Sequence, residues 1–251
     1  MIQAVQPRLP WRHAVVAGIC PEAPRVATFA LSVPGWPGHL AGQHLDLRLT
    51  APDGYQAQRS YSIASAADGE TVEITVERVT DGEVSPFLLE EVVVGDTLEL
   101  RGPIGGYFTW RPGEGGPLQL VAGGSGIVPL MAILRQRARA GDTTPARLLY
   151  SSQSPPAIIY RRELDELAAR GDGFAVTHTL TREQPPGWQG ARRRIDRAML
   201  EAAAFPADVN PHAFVCGPTP LVERVAADLV ALGYAEARVR TERFGPMGGT
   251  R

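Results

Sequence analysis

The sequence has no lysine, and all 25 of its basic residues are arginine. Chemistry through a lysine Schiff base is therefore excluded, and so is the P-loop phosphate site, which needs a lysine. Only two cysteines occur, Cys20 and Cys216. Because they are too few for an iron–sulfur cluster or a disulfide framework, we expect a cytoplasmic protein without a metal site.

An excess of one charge and long apolar runs are also absent. The 25 basic residues face 27 acidic ones, so no basic field is available to hold nucleic acid or an anionic membrane. No apolar run reaches the roughly 18 residues of a membrane span, and the stretch 14–19 is too short for a secretory signal. With 44% apolar residues in 251, the chain can form a sizeable core in one large or two small domains.

The first part of the chain has the pattern of short strands separated by turns. Apolar and polar residues alternate with period two over 45–49, 72–76 and 97–100. Turn pairs such as Asp53-Gly54 separate these runs. The pattern is typical of a barrel or sandwich of about 100 residues.

A segment dense in glycine and proline, 111–117, predicts a boundary between one domain over 1–112 and a second over 113–251. Beyond it, strands predicted over 118–122, 146–150, 174–180, 213–216 and 237–241 alternate with helices over 129–140, 161–170, 195–204 and 221–232. This alternation predicts a doubly wound α/β domain with a parallel sheet. Ligands of such sheets lie beyond the carboxyl ends of the strands.

The turn between the first strand and helix of this second part has the spacing G-x-G-x-x-P, from Gly124 to Pro129. Glycines let main-chain N–H groups approach a pyrophosphate, and a helix N-terminus favours its charge. Pro129 stands where the dinucleotide fingerprint has its third glycine. The alternative is a plain strand–helix turn.

Two further motifs could bind a ligand. Arg59-Ser60-Tyr61-Ser62 offers a cationic fork, a flat ring and a small donor, or else forms an ordinary strand. Cys216-Gly217-Pro218 follows a late strand, where a thiol could press against a flat heterocycle or simply pack as a small apolar group.

In this order and on these two architectures, the three motifs resemble the ferredoxin–NADP reductase superfamily, from about Trp11 to Pro246. The resemblance implies a two-domain fold in which an N-terminal antiparallel β-barrel binds FAD and the α/β domain binds NADPH or NADH. It implies that Arg59 contacts the FAD pyrophosphate, Tyr61 stacks on the flavin and Ser62 lies near the ring atom N5. The full FAD-binding set implied is Arg59, Ser60, Tyr61, Ser62, Val76, Arg78, Gly82, Val84, Ser85 and Phe244.

For the nicotinamide nucleotide, the resemblance implies a pyrophosphate cradle and a turn that guides the ring. Their residues are Gly124, Ser125, Gly126, Ile127 and Pro129, followed by Cys216, Gly217 and Pro218. The catalytic residues implied are Ser62, Cys216 and Glu242, the last as a proton relay. Phe244 would cover the flavin until nicotinamide enters; because the chain continues beyond it, where relatives end on Tyr or Trp, packing under the last strand is the alternative.

The pair Thr181-Arg182 resembles the Ser-Arg pair of NADP-dependent members, and Arg192 to Arg194 follow closely. No acidic residue stands immediately after the second strand to hold a 2′-hydroxyl, although the basic residue that many relatives carry near Gln153 is missing too. The pattern favours NADPH and leaves NADH open.

The resemblance thus predicts a monomeric enzyme that moves hydride from NADPH to FAD and electrons to an external one-electron acceptor. The acceptor would be a ferredoxin, an oxygenase component or a molybdenum oxidoreductase. The alternatives are a diaphorase acting on free flavin, ferric chelates or quinones, a flavin-binding docking module without activity, and a nucleotide-binding protein without flavin.

Overall fold

A computed structural model of the chain describes residues 9–67 and 71–244. An antiparallel sheet of six strands comes first along the chain, and a parallel sheet of five strands with flanking helices follows it. The predicted two-domain fold is confirmed.

The first sheet closes into a barrel. Its strands lie in the order β4-β3-β6-β1-β2-β5, and a bridge between Ile63 and Ile74 joins the two edges. Alternate apolar side chains fill the interior, as the period-two pattern predicts. The strands are β1 (Arg12–Ala23), β2 (Val26–Ser32), β3 (His44–Thr50), β4 (Gln56–Ser62), β5 (Thr71–Glu77) and β6 (Thr97–Ile104).

One short helix, α1 (Val84–Glu90), lies between β5 and β6. Val84 and Leu88 bury its apolar side in the barrel core. The predicted turn at 82–85 therefore runs directly into a helix.

The second sheet has the order β11-β10-β7-β8-β9, with all strands parallel. The central strand β7 is buried over its whole length, and crossovers leave it in both directions, as in a doubly wound fold. Its strands are β7 (Leu118–Gly123), β8 (Ala146–Ser152), β9 (Phe174–Leu180), β10 (His212–Pro218) and β11 (Val239–Phe244). Its helices are α2 (Ile127–Arg139), α3 (Arg161–Ala169), α4 (Arg197–Ala203) and α5 (Thr219–Ala231). Within 9–67 and 71–244, no helix combines the length and apolarity needed to cross a membrane.

The two domains share an apolar core along their seam. Ala64, Phe108 and Trp110 of the barrel part pack in one cluster with Ile127 and Phe214 of the α/β part. The Phe108 and Phe214 rings meet edge to face, with centroids 5.3 Å apart. The predicted boundary after residue 112 stays a prediction; it lies between the bridge of Trp110 to Ala41 and the start of β7.

Candidate functional site

The motif Arg59-Ser60-Tyr61-Ser62 forms the last part of β4, and its chain continues to Ala64 at the seam. Ser62 is buried, and its Oγ has no hydrogen-bond partner in the part of the chain that the structure describes. Leaving a buried hydroxyl unpaired costs about 1–3 kcal/mol. This atom is therefore a position where a ligand acceptor or donor would be satisfied.

Arg59 and Tyr61 project from one face of β4, because successive side chains of a strand alternate. Arg59 is exposed and donates to the Gln58 carbonyl oxygen (2.7 Å); among the described residues no carboxylate pairs with it. Tyr61 packs half-buried on the barrel core, and burial raises its pKa to about 12, so the ring is neutral. Ser60, on the other face, donates to Asp46 (2.6 Å). A guanidinium without a carboxylate partner among the described residues and a neutral ring thus lie on the same face of β4.

The glycine turn follows β7 as a 3-10 turn over Gly124–Gly126 and continues into α2. The main chain at Gly126 packs directly on the main chain at Cys216. A methyl group at Gly126 would lie only 2.2 Å from the Cys216 carbonyl oxygen, so no larger residue fits there. The first turn of α2 has no side-chain cap and no acidic residue, so the positive end of the helix is open to a ligand. The Ile127 N–H already donates to the Gly124 and Ser125 carbonyl oxygens, and Pro129 has no N–H, so fewer than the usual four N–H groups are left for that ligand. Gly217, with φ +151°, would place a methyl group 3.0 Å from the Gly123 carbonyl oxygen. The structure therefore brings the two predicted glycine turns together.

Cys216 and Glu242 are register partners on β10 and β11. Burial, and the charge of Glu242, raise the pKa of the fully buried Cys216 thiol, which keeps it neutral. Burial raises the pKa of Glu242 to about 7, and its Oε2 is buried without a partner in the described residues. The pair offers a small neutral group and a carboxyl that exchanges protons near neutrality.

The arginines predicted to read a 2′-phosphate gather at one edge of the sheet. The N–H of Arg182 donates to the Gln153 carbonyl oxygen (2.9 Å), which joins the ends of β8 and β9, and the Arg182 side chain is exposed. Thr179 on β9 donates through Oγ1 to the Arg193 carbonyl oxygen (2.5 Å), so the arginine run passes beside the same strand. Arg192 donates to the Trp188 carbonyl oxygen (3.1 Å). Thr181 itself bonds back to Ser152.

The remaining FAD-binding predictions fall at the β5–α1 end of the barrel. Val76 and Val84 are buried in its core, so only their main-chain atoms could reach a ligand. Arg78 pairs with Glu90 (2.8 Å), and the Ser85 hydroxyl accepts from the Val79 N–H (2.9 Å). Gly82 makes the turn before the helix. These contacts are made within the barrel, and the roles of the five residues stay predictions.

Phe244 packs half-buried against the core at the seam. It is the last described residue. Residues 245–251 lie outside the described residues, and they include Pro246, where the resemblance ends.

Sequence reasoning missed two residues that contact the motifs. His44 on β3 is the register partner of Ser62, and burial lowers its pKa, so the imidazole is neutral at neutral pH. Tyr150 on β8 is fully buried and donates to the Gly124 carbonyl oxygen (3.1 Å). Neither stands in a motif; only strand register and the turn's position reveal them.

Comparisons with known proteins agree with the two-domain fold. Residues 21–109 match the oxidoreductase FAD-binding domain family, and residues 120–227 match the oxidoreductase NAD-binding domain family. The chain is thus an NAD(P)H-dependent flavin oxidoreductase built from both domains. It belongs to the ferredoxin–NADP reductase-like superfamily, which confirms the resemblance.

Several curated relatives share about a third of their residues with it. Ferredoxin–NADP reductase B of Sorangium cellulosum is 36% identical over 81% of this chain and 84% of its own length. NADH-cytochrome b5 reductase 1 of Aspergillus terreus is 32% identical over 78% and 68%, respectively. The glycine betaine monooxygenase reductase subunit of Pseudomonas aeruginosa is 34% identical over 82% of this chain but only 56% of its own length.

Solved structures show the same fold. The flavohem-like FAD/NAD-binding domain of nitric oxide dioxygenase from Vibrio cholerae superposes with a TM-score of 0.84, at 27% identity over 94% of this chain and 99% of that one. The Amycolatopsis cytochrome P450 reductase GcoB gives 0.81, at 26% identity over 98% of this chain and 74% of that one.

Proposed function

We propose that the protein passes hydride from NADPH to FAD and delivers the electrons singly to an external partner, a ferredoxin or an oxygenase component. The observation that carries the proposal is the buried hydroxyl of Ser62, which has no hydrogen-bond partner among the described residues. It lies two residues before Ala64, which packs in the same cluster as Cys216 and as Ile127 of the glycine turn.

The residues present fit both cofactors. Arg59 and Tyr61 would hold the FAD pyrophosphate and ring, and the turn at Gly124 with the start of α2 would hold the nucleotide pyrophosphate. When bound, FAD supplies hydride acceptance and one-electron release, which no side chain can provide. Ser62 would hydrogen-bond to the ring, Cys216 would exclude water, and Glu242 would exchange a proton near neutral pH.

The cysteine content of this chain supports a separate acceptor. Its two cysteines, one exposed and one buried, cannot ligate a cluster within this chain. The names of its relatives point to such acceptors, since they include a ferredoxin reductase and a monooxygenase reductase subunit. The preference for NADPH is supported by the exposed Arg182 at the edge where β8 and β9 end.

The test is anaerobic stopped-flow reduction of the FAD-loaded protein with NADPH and with NADH, followed by added acceptors. We expect the flavin absorption to bleach faster with NADPH and ferredoxin to reoxidise it. Ser62→Ala should keep its FAD content but bleach about tenfold or more slowly, because one donor to the reacting ring is lost. Ser32→Ala, at the end of β2, is the control for a barrel hydroxyl.

Each alternative has its own outcome. A yellow protein that stays oxidised with both nucleotides is a docking module. Bleaching followed by turnover only with free flavin, ferric chelates or quinones identifies a diaphorase. If Ser62→Ala loses FAD but its remaining holoprotein is reduced at the wild-type rate, Ser62 has a structural role and not a catalytic one.

A further inference from the structure

Arg135 lies on α2 at the seam and binds both domains. Its guanidinium donates to the Ala64 carbonyl oxygen (2.9 Å) and the Glu73 carboxylate (2.8 Å), both in the barrel part. It also donates to both carboxylate oxygens of Glu163 on α3, at 2.8 and 2.6 Å. Its side chain is only 18% exposed. One arginine therefore joins the barrel, α2 and α3.

The bonds of Arg135 fix the orientation of the two domains more than they stabilise the fold. Burial opposes the charge of Arg135, but bonds to Glu163 and Glu73 raise its pKa, so the guanidinium stays charged. A buried ion pair pays a desolvation cost close to its electrostatic gain. The planar guanidinium, however, can donate to these partners only in a few geometries. Because Ala64 lies two residues beyond Ser62, Arg135 holds the end of the β4 motif against the helix that starts at the glycine turn.

Tyr160 makes a second contact between the two domains, which we call the second tie; the first tie is that of Arg135. Its hydroxyl shares a hydrogen bond with Thr75 on β5, and Thr75 bonds Thr28 (2.8 Å), which donates to Glu22 (2.9 Å). The Arg135 guanidinium lies 5.0 Å from the centre of the Tyr160 ring. Tyr160 has φ +58°, a left-handed conformation that costs about 1–2 kcal/mol for a residue with a Cβ. The surrounding contacts hold this residue in place despite that cost.

The second tie continues to the glycine turn. The N–H of Ile159 donates to the Tyr150 hydroxyl (3.3 Å), and that hydroxyl donates to the Gly124 carbonyl oxygen (3.1 Å). From Thr75 in the barrel, contacts thus lead through Tyr160 and its neighbour to the candidate pyrophosphate site.

We propose that Arg135 and Tyr160 are positioning residues that set the distance and angle between the nicotinamide and the flavin. The proposal rests on the proposed function. Neither residue belongs to the motifs that would hold a cofactor; each acts through the segment that it ties. Because a displacement of about 1 Å between reacting groups can slow a reaction about 100-fold, loosening the ties should slow hydride transfer without weakening either cofactor's binding.

The test compares Arg135→Gln with Arg137→Gln on the same helix. Arg137 is buried too, but within 9–67 and 71–244 its side chain bonds only Thr144 and Asp172, both of the α/β domain. At saturating NADPH, we expect flavin reduction to slow about tenfold or more in Arg135→Gln and less than about twofold in Arg137→Gln. FAD content and the Kd of 2′,5′-ADP should stay within about twofold of wild type in Arg135→Gln.

Two further measurements test the proposal even if Arg135→Gln does not fold. Tyr160→Phe removes only the hydroxyl tie and should slow reduction about threefold or more, at unchanged 2′,5′-ADP affinity. Spin labels on the exposed Cys20 and on Arg162→Cys, whose native side chain is 93% exposed, should report a broader distance distribution when Tyr160→Phe or Arg135→Gln is added.

Wild-type rates and unchanged distance distributions in both Arg135→Gln and Tyr160→Phe would overturn the proposal. So would slow reduction explained by lost FAD or lost 2′,5′-ADP binding. A wild-type holoprotein that neither nucleotide reduces would instead refute the proposed function itself.

Discussion

The two ends of the proposed nucleotide site differ in the groups that they offer to a ligand. At the glycine turns, main chain packs on main chain, and Gly126 has no room for even a methyl group beside Cys216. At the edge beyond β8 and β9, exposed arginine side chains such as Arg182 stand on loops. Main-chain donors recognise the pyrophosphate that NADPH and NADH share, whereas side chains can recognise what distinguishes them. Affinity and selectivity should therefore respond to different substitutions.

The largest effect is expected for Gly126→Ala. Its new methyl group would push the two glycine turns apart, at a packing cost of about 1–3 kcal/mol. Reduction by NADPH and by NADH should both fall about 100-fold or more, because a shift near 1 Å disturbs the shared pyrophosphate contacts. Stopped-flow rates and the Tm measure both consequences.

Gly18→Ala is the matched control, since the nearest atom to its methyl group would be at 3.8 Å, an ordinary contact. A selective loss with only one nucleotide in Gly126→Ala would contradict the division between the two ends.

A smaller and selective effect is expected for Arg182→Ala. One charge-assisted hydrogen bond is worth about 1.5–3 kcal/mol, so KM for NADPH should rise about tenfold or more while KM for NADH changes little. Arg197→Ala removes an exposed arginine paired with Glu201 on α4 and serves as control. Equal changes for the two nucleotides would show that Arg182 does not read the phosphate.

The smallest effect concerns Glu242, the register partner of Cys216 in the candidate site. Burial raises its pKa from 4.5 to about 7, so folding favours its protonated form. Its contribution to stability is complete below the unfolded pKa and is lost as the pH rises through about 7. The free energy of unfolding should fall by about 1–2 kcal/mol between pH 5 and 8, and this slope should flatten in Glu242→Gln. Urea titrations at several pH values measure it; an identical slope in the variant would assign the dependence to other groups.

Sequence patterns predicted the α/β half more closely than the barrel. β9 has the predicted bounds, because the turn residues Gly171 to Gly173 mark its start in the sequence. β1 was not predicted: its polar residues and two register shifts break the alternation. The helix α1 was missed because it has seven residues, includes Pro86 and follows a turn.

The motifs of the candidate site can be seen in the sequence, but the contacts that bring them together cannot. Arg135 and Glu73 are 62 positions apart, and Thr75 and Tyr160 are 85 apart. No local period or spacing relates such pairs, since only the packing of α2 and α3 on the barrel brings them together. His44 was missed for the same reason, because its relation to Ser62 depends on strand register.

The edge-to-face contact of Phe108 with Phe214 has a consequence for how the protein can be divided. Severing the polypeptide in the glycine-rich segment would leave Phe108 and Trp110 on one fragment and Phe214 on the other, each facing water with an apolar surface now covered by its counterpart. We therefore expect each fragment to be less stable alone than within the whole chain.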